Sequence, residues 1–327
     1  MSMSFSNKKI LFICPKFHGY ETMIINKLES FGASVTYYPE RSYKADFSII
    51  NNFYPSKMDK FQERHYNKIL KDTKDNAFDY LFVIRGYKLS KVFLEGFRRQ
   101  NPSAKTIMYQ WDSDRTNHFS HLVSQFDKVS SFDFEDCENL KLEYIPLFYT
   151  DDVLEYVNNK KIYKYDFFFM GFFFEERYDA VLKFREFCNR NGYSLKAFLY
   201  MPFQTRIKYY FKRKNIDLDI VSFKPMPRKE YLTTLSESNI MVDVSNPGQT
   251  GLAMRVIESL ACKTKILTNN HDFVKDQDVA NSGMVAQFSI SDINVDEDFF
   301  NLPANKVSNV VLPLSDWLGK IFKDYEA

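Results

Sequence analysis

The chain has 327 residues and 45% hydrophobic content, enough for two cores of ordinary domain size. Lysine plus arginine (44) nearly balance aspartate plus glutamate (42), which leaves a net charge of +2 and argues against a dedicated nucleic-acid binder. Four cysteines, Cys14, Cys137, Cys188 and Cys262, lack C-x-x-C spacing and read as reduced core residues, neither disulfides nor zinc ligands.

The first apolar run, in "KKILFIC", is too short for a signal-peptide core or a membrane span and fits a buried strand. A loop with His18, Gly19 and Tyr20 follows, then the helical "ETMIINKLESFG" and a second strand, "ASVTYYP". "QERHYNKILKDTKD" reads as a polar helix, "FDYLFVIRG" as a buried strand, and "SKVFLEGFRRQNP" as a helix stopped by Pro102. "AKTIMYQWD" and "KVSSFD" are two more strands, separated by a helical "DRTNHFSHLVSQF". A polar junction spans Pro146 to Lys164, after which the alternation resumes. "YDFFFMG", "YSLKAFLY", "IMVDV" and "KILTNN" are strands; "EERYDAVLKFREFCNRNG", "RKEYLTTLSESN" and the segment from about Leu252 are helices. The chain closes on an amphipathic helix, "LPLSDWLGKIFKDYEA", anchored by Trp317, Leu318 and Phe322. Strands alternating with helices predict an α/β chain with parallel, doubly wound sheets, here as two Rossmann-like domains facing across a cleft. The expected boundaries are 1–160 for the N-terminal domain, 161–312 for the C-terminal domain and 313–327 for the final helix.

In open parallel sheets, ligands bind beyond the C-terminal ends of the strands. That rule selects His18, Gly19, Tyr20, Arg85, Gly86, Trp111, Asp112, Asp114 and Asp133 in the first half. In the second half it selects Gly171 to Arg177, the loop near Met201, Asp243 and the stretch "SNPGQTGLAMRVIESL". In this stretch a strand ends, a loop with Gly248 and Gly251 follows, and a helix begins that carries Arg255 and Glu258 on one face. Amide N–H groups at a helix N-terminus attract phosphate, Arg255 can bind a diphosphate with two donors, and Glu258 can accept from a ribose diol. The competing reading is an exposed i,i+3 ion pair of a few tenths of a kcal/mol (order ~0.3).

Several pieces in order then resemble a GT-B glycosyltransferase. "YDFFFMGFFFEERYDAVLKF" resembles the opening of the donor domain, with Gly171 and Arg177 in place. "YLTTLSESNIMVDVS" and "GQTGLAMRVIESLACKTKILTNN" resemble the segment before the donor loop and the nucleotide-sugar helix. "FVIRG" and "YQWDS" are similar to acceptor-domain segments of bacterial transferases from polysaccharide and O-antigen clusters, and the chain also resembles CgeB-like spore-maturation proteins. The resemblance implies a sugar nucleotide (UDP, GDP or dTDP) in the C-terminal domain, no cofactor and no metal, and a final helix crossing back to the first domain. Carried over, Arg255 would hold phosphate, Glu258 the ribose, and Gln249, Thr250 and Gly251 the diphosphate or sugar. The sequence departs from the family's pattern in three places. Thr250 stands eight before Glu258, where many retaining members carry glutamate. His18-Gly19-Tyr20 replaces a glycine pair, and Lys263-Thr264 replaces a glycine.

Glycosyl transfer needs a base for the acceptor hydroxyl and positive charge on the departing diphosphate. Asp112, beside Trp111 as a sugar platform, is the first base candidate and His18 the second; Gly19, Tyr20 and Arg85 complete an acceptor rim. Asp112 or Ser113 also fits a helix N-cap. Asp112-Ser113-Asp114 imitates a metal-binding DxD, while His118 and His121, at i,i+3 without a third ligand, read as surface or packing residues. Arg206 to Lys214, "RIKYYFKRK", is either a solvated helix with aromatic core contacts or a membrane-facing patch of an enzyme with lipid-linked acceptors. The expected activity is transfer of a sugar to a glycan or lipid-linked acceptor in bacterial surface polysaccharide synthesis, in the cytoplasm or on the inner membrane face. An epimerase or hydrolase on the same fold, and a noncatalytic surface protein, are the alternatives.

Overall fold

The structure, a computed structural model, describes residues 4–157, 163–211, 215–303 and 310–323. It falls into two compact units, Met1–Leu147 with Leu314–Ala327, and Phe148–Pro313. Both are parallel α/β sheets, as the strand–helix alternation predicts.

The first unit holds strands β1 (Lys9–Cys14), β2 (Ser34–Pro39), β3 (Tyr80–Ile84), β4 (Lys105–Gln110), β5 (Lys128–Ser131) and β6 (Glu143–Tyr144). Its helices are α1 (Tyr20–Ser30), α2 (Ala45–Phe53), α3 (Met58–Asp72), α4 (Lys91–Gln100), α5 (Asp114–Asn117) and α6 (Phe134–Leu140). The strand order is β2-β1-β3-β4-β5-β6, so the order reverses between β1 and β3. The central strands are apolar throughout because helices cover both faces; Ile10 to Cys14 and Leu81 to Ile84 are fully buried.

The second unit opens with β7 (Phe148–Tyr149), continues through β8 (Tyr165–Phe172), β9 (Leu195–Tyr200), β10 (Val221–Ser222), β11 (Ser238–Asp243), β12 (Lys265–Thr268) and β13 (Val285–Gln287), and closes with β14 (Leu312–Pro313). Its helices are α7 (Glu175–Asn191), α8 (Phe203–Phe211), α9 (Arg228–Ser236), α10 (Met254–Ala261), α11 (Gln277–Ala280) and α12 (Glu297–Asn301). The sheet order is β10-β9-β8-β11-β12-β13, the dinucleotide-fold order, which reverses between β8 and β11. The separate β7–β14 pair ties the two ends of this unit together, so Phe148 to Val157 group with it.

The last helix, α13 (Leu314–Phe322), packs on the first unit, as its amphipathic pattern and the family resemblance lead one to expect. Trp317 is fully buried, edge-on to Tyr109 at 4.8 Å, and Phe322 meets Phe5 at 4.9 Å and Phe82 at 5.2 Å.

Three local readings change. The helix expected over Asp114 to Phe126 is broken: α5 ends at His118, which is left-handed at φ 49°, and a 3₁₀ turn over Ser120–Gln125 follows. His118 and His121 therefore do not share a helix face. The helix near Leu252 starts at Met254, after an extended Ala253. The helix α2 has no counterpart in the sequence reading, because Ile49 and Phe53 are exposed and its apolar residues do not form a stripe that tracks a core. The four cysteines are free; Cys14, Cys188 and Cys262 are buried and Cys137 is half-buried. Among the described residues no helix is long and apolar enough to cross a membrane.

Replacing Trp317 with alanine removes a fully buried indole and should cost about 3–5 kcal/mol, read as a lower denaturation midpoint. A loss below about 1 kcal/mol would mean that α13 is not docked as described.

Candidate functional site

Each sheet gathers its chemically distinctive side chains where its strand order reverses, the crevice in which open α/β sheets bind ligands. In the first unit that crevice lies beyond β1 and β3. The chain leaves β1 through Phe17 and His18, and Gly19, at φ 82°, sets the first turn of α1. Tyr20, the first helical residue, is buried. Phe17 packs edge-on to His18 at 4.5 Å and lies 5.9 Å from Trp111, so the strand-end aromatics form one cluster beside Asp112.

Arg85 follows β3 and is left-handed at φ 66°, a conformation that costs a non-glycine residue about 1–2 kcal/mol. It is held there by its own carbonyl, which accepts from Gln110 Nε2 at 2.9 Å and Asn117 Nδ2 at 2.8 Å. The guanidinium spans two carboxylates. Nε and Nη2 donate to Glu40, the former at 3.1 Å, and Nη1 donates to Asp112 Oδ2 at 3.2 Å. Glu40 is fully buried and also accepts from the Tyr87 amide at 2.8 Å. Burial works against the Arg85 charge, but the two carboxylates outweigh it and hold the guanidinium above its ordinary value. Burial raises the Asp112 carboxyl above the usual carboxylate range despite the downward pull of Arg85. Asp112 keeps 31% of its side-chain surface exposed, which suits a group that exchanges protons with a ligand. The N-cap position of α5 belongs to Ser113, not to Asp112. The two carboxylates of Asp112-Ser113-Asp114 turn to different partners: Asp114 Oδ1 accepts from the Ser120 amide at 2.7 Å.

Asp133 caps α6 by accepting from the Asp136 amide at 3.2 Å. Asp136 in turn accepts from the Asp114 amide at 2.9 Å and so fixes the segment that follows Asp112. Burial, reinforced by the Asp133, Asp114 and Glu135 carboxylates, pushes Asp136 up to about 6 against the stabilising Asp114 amide.

In the second unit the crevice lies beyond β8 and β11. Arg177, in the first turn of α7, is 5% exposed, and three of its donors go to carbonyl oxygens: Nε and Nη2 to Val244 at 3.2 and 2.9 Å, and Nη1 to Phe172 at 3.1 Å. Gly171 leaves room for it; a Cβ there would sit 3.3 Å from Arg177 Nη1. Gly171 thus makes room for the Arg177 side chain. Arg255, on α10, donates Nε to Asp243 Oδ1 at 2.6 Å and Nη2 to the same Val244 carbonyl at 3.1 Å. Asp243 is buried, and its other oxygen accepts from Thr268 Oγ1 at 2.7 Å. Among the described residues Asp243 is the one carboxylate bonded to either guanidinium, so the three side chains sum to +1. Burial and then the neighbouring Arg255 charge pull the Arg177 guanidinium below its ordinary value, to about 9, which still leaves it charged at neutral pH.

The loop before α10 is pinned from β12. Asn269 Oδ1 accepts from the Ser245 amide and hydroxyl at 2.7 and 2.9 Å, and Asn270 Nδ2 donates to the Thr250 carbonyl at 2.9 Å. Gln249 Nε2 donates to the Gly251 carbonyl at 3.0 Å, which folds the side chain back on its own loop. Glu258, one turn further along α10, is 1% exposed, and its Oε1 accepts from Arg228 Nη2 at 2.8 Å. Arg228 also binds Asp152 and Thr150. Arg255 and Glu258 do share one helix face, but each is engaged by a different cluster.

The sequence reading omits Glu40, Arg228, Asp152 and the Asn269–Asn270 clamp. Glu40 directly follows β2, so the rule that selects Asp112 also selects it. Arg228 and Asp152 carry no local signal.

No family model matches the chain, and no curated protein is similar to it in sequence. Solved structures do resemble it. The N-terminal domain of Candida albicans trehalose-6-phosphate phosphatase is 12% identical, with 98% of each chain covered and a TM-score of 0.61. Staphylococcus aureus MnaA, solved with UDP, is 11% identical over 97% of this chain and 96% of that one, with a TM-score of 0.58. The UDP-GlcNAc 2-epimerase of Neisseria meningitidis bound to UDP-GlcNAc is 9% identical over 85% of this chain and 86% of that one, with a TM-score of 0.50. These likenesses show the fold: two Rossmann-like domains of the GT-B type.

Asp136 provides a pH test of the Asp112 region. Its folded pKa of about 6 lies above the ordinary carboxylate value, so its ionisation opposes folding at high pH and is relieved as pH falls through about 6. Asp136→Asn, which keeps an acceptor for the Asp114 amide, should raise the melting temperature at pH 8 and leave it unchanged at pH 4. A shift of equal size at both pH values would contradict the assignment.

Proposed function

We propose that the chain is a sugar-nucleotide enzyme, and within that class a glycosyltransferase that moves a sugar from a nucleoside diphosphate to a glycan or lipid-linked acceptor in bacterial surface polysaccharide synthesis. The observation that carries this reading is the charge pattern on α10. Arg255 belongs to a cluster with surplus positive charge, and Glu258, one turn away, to a cluster with surplus negative charge. A nucleoside diphosphate carries anionic phosphates and hydroxyl donors within one small molecule, and so complements both. Arg255 and the first amides of α10 would hold the diphosphate and stabilise it as it departs, with Arg177 adding charge from behind and no metal required. Gln249, Thr250 and Gly251 would line the diphosphate or sugar, and Asp243 would orient Arg255.

In the first unit, Asp112 is the proposed base, with His18 second. Trp111, Gly19 and Tyr20 would bind the acceptor, while Arg85, tied to two carboxylates, would hold Asp112 in place. An epimerase or hydrolase is the second reading, supported by the likeness to the Neisseria epimerase bound to UDP-GlcNAc. A cytoplasmic enzyme resting on the inner membrane face is supported by α8. There Tyr209 enters the core, while Phe203, Ile207, Tyr210 and Phe211 are exposed beside Arg206 and Lys208. Lys212 to Lys214 of that patch lie outside the described residues.

The test is thermal unfolding with UDP, GDP or dTDP, each with and without EDTA. At a hundredfold excess over Kd, the cognate nucleotide should add about 2.7 kcal/mol of stability. The gain should survive EDTA and vanish in Arg255→Ala. No gain with any of the three would contradict the reading.

A further inference from the structure

Helices α2 and α3 of the first unit carry a surface that the proposed reaction does not use. α3 buries Met58, Gln62, Tyr66 and Ile69, which recur every three or four residues and so share one face. Lys60, Arg64, Lys68 and Lys71 recur at the same spacing on the nearly opposite face, and Lys57 extends them from the 3₁₀ turn Pro55–Lys57. All five are exposed. Among the described residues none of the five is in an ion pair. Asp59, which lies off the stripe, is taken by Lys88. Glu63 is turned about 100° around the helix from Arg64, and Asp72 ends it. Like charges at i,i+3 and i,i+4 repel, so a stripe running about 16 Å along α3 destabilises the helix that carries it. An anionic surface laid against it would relieve that repulsion.

α2 adds an apolar patch. Its buried residue, Phe47, packs against Phe61 of α3 at 6.4 Å and against Tyr87 at 6.0 Å. Ile49 and Phe53, one turn apart, lie on the opposite side of α2 and are 50% and 74% exposed; Tyr54, which follows directly, is 50% exposed. Lys57 Nζ lies 5.1 Å from the Tyr54 ring centroid, so the apolar patch ends where the basic stripe begins. Asp46, the one carboxylate of α2, accepts from the Ser42 hydroxyl at 2.7 Å.

A soluble polyanion would pair with the stripe and leave Ile49 and Phe53 in water. A bilayer with anionic headgroups satisfies both halves of the surface, because it offers phosphates to the cations and an acyl boundary to the apolar side chains. We propose that α2 and α3 form a docking face for a bilayer of anionic phospholipid. Ile49 and Phe53 enter the boundary between headgroups and acyl chains, and Lys57, Lys60, Arg64, Lys68 and Lys71 lie over the headgroup phosphates. This extends the membrane reading of α8 to the first unit, through other residues, and does not depend on the nucleotide site.

The test is sedimentation of the full chain with vesicles of phosphatidylcholine alone and with about one third phosphatidylglycerol, together with the fluorescence of Phe53→Trp. Each cation near an anionic surface adds about fivefold in affinity, so the triple variant Lys60→Gln, Arg64→Gln, Lys68→Gln should bind the anionic vesicles about a hundredfold more weakly. Phe53→Ser should also weaken binding, and about 0.5 M salt should release the wild type. The emission of Phe53→Trp, after subtraction of the wild-type signal from Trp111 and Trp317, should shift to the blue with anionic vesicles and not with dextran sulfate. Full binding by the triple variant, with no blue shift in Phe53→Trp and with binding lost in Tyr210→Ser, Phe211→Ser, would overturn the α2–α3 face and leave the α8 reading standing. Equal binding to phosphatidylcholine alone would overturn the anionic lipid. Binding to dextran sulfate as tight as to vesicles, unaffected by Phe53→Ser, would replace the bilayer with a soluble polyanion. Absence of wild-type binding to either vesicle would overturn both membrane readings.

Discussion

The Val244 carbonyl accepts hydrogen bonds from two guanidinium groups, Arg177 at 2.9 and 3.2 Å and Arg255 at 3.1 Å, and the rest of the second unit's site follows from that arrangement. Two like charges brought to one oxygen repel each other, and a buried guanidinium has given up its hydration. Asp243 offsets one of the two charges. The fold holds the other in place: Gly171 clears the space, the residue after β11 supplies the carbonyl, and α7 and α10 supply the arginines. An arrangement that is costly without an anion is a natural place for one. The loop clamps from Asn269 and Asn270 keep the backbone before α10 in place, so the helix N-terminus stays aligned with the same charge.

The first unit uses the opposite balance. Arg85 is held by Glu40 and Asp112, so the surplus there is negative. Its strained backbone is secured by Gln110 and Asn117 from β4 and α5, which makes the guanidinium a fixed part of the scaffold. Asp112 is the more exposed of its two partners, with its carboxyl raised above the ordinary range. Both units therefore spend an arginine on organising the crevice at their strand-order reversal. One leaves a positive site suited to phosphate, and the other a carboxylate suited to proton transfer.

Much of this was legible in the residues. Apolar runs such as "KILFIC" and "DYLFVI" alternate with helical segments because parallel strands are buried on both faces, and that alternation predicts the sheets. The strand-end rule then finds Arg85, Asp112, Arg177 and Asp243, because ligand crevices in this architecture are fixed by topology. What could not be read were the partners. Glu40 and Arg85 are 45 positions apart, and Asp152 and Arg228 are 76 apart, so no local pattern joins them. Arg228 looks like an ordinary charge opening the polar helix "RKEYLTTLS". Gly171 stands alone among aromatic residues in sequence, and the room it makes for Arg177 is a contact only the packed chain reveals. The break at His118 is not legible in the sequence because a left-handed histidine carries no signal as strong as glycine.

The most direct measurement of the central claim is a crystal structure of the chain soaked with UDP or GDP. The account predicts the β-phosphate within about 3 Å of Arg255 and of an amide in the first turn of α10, with the Arg255–Asp243 pair intact. A nucleotide whose phosphates lie away from α10, with Arg177 and Arg255 contacting only the partners they have now, would contradict it.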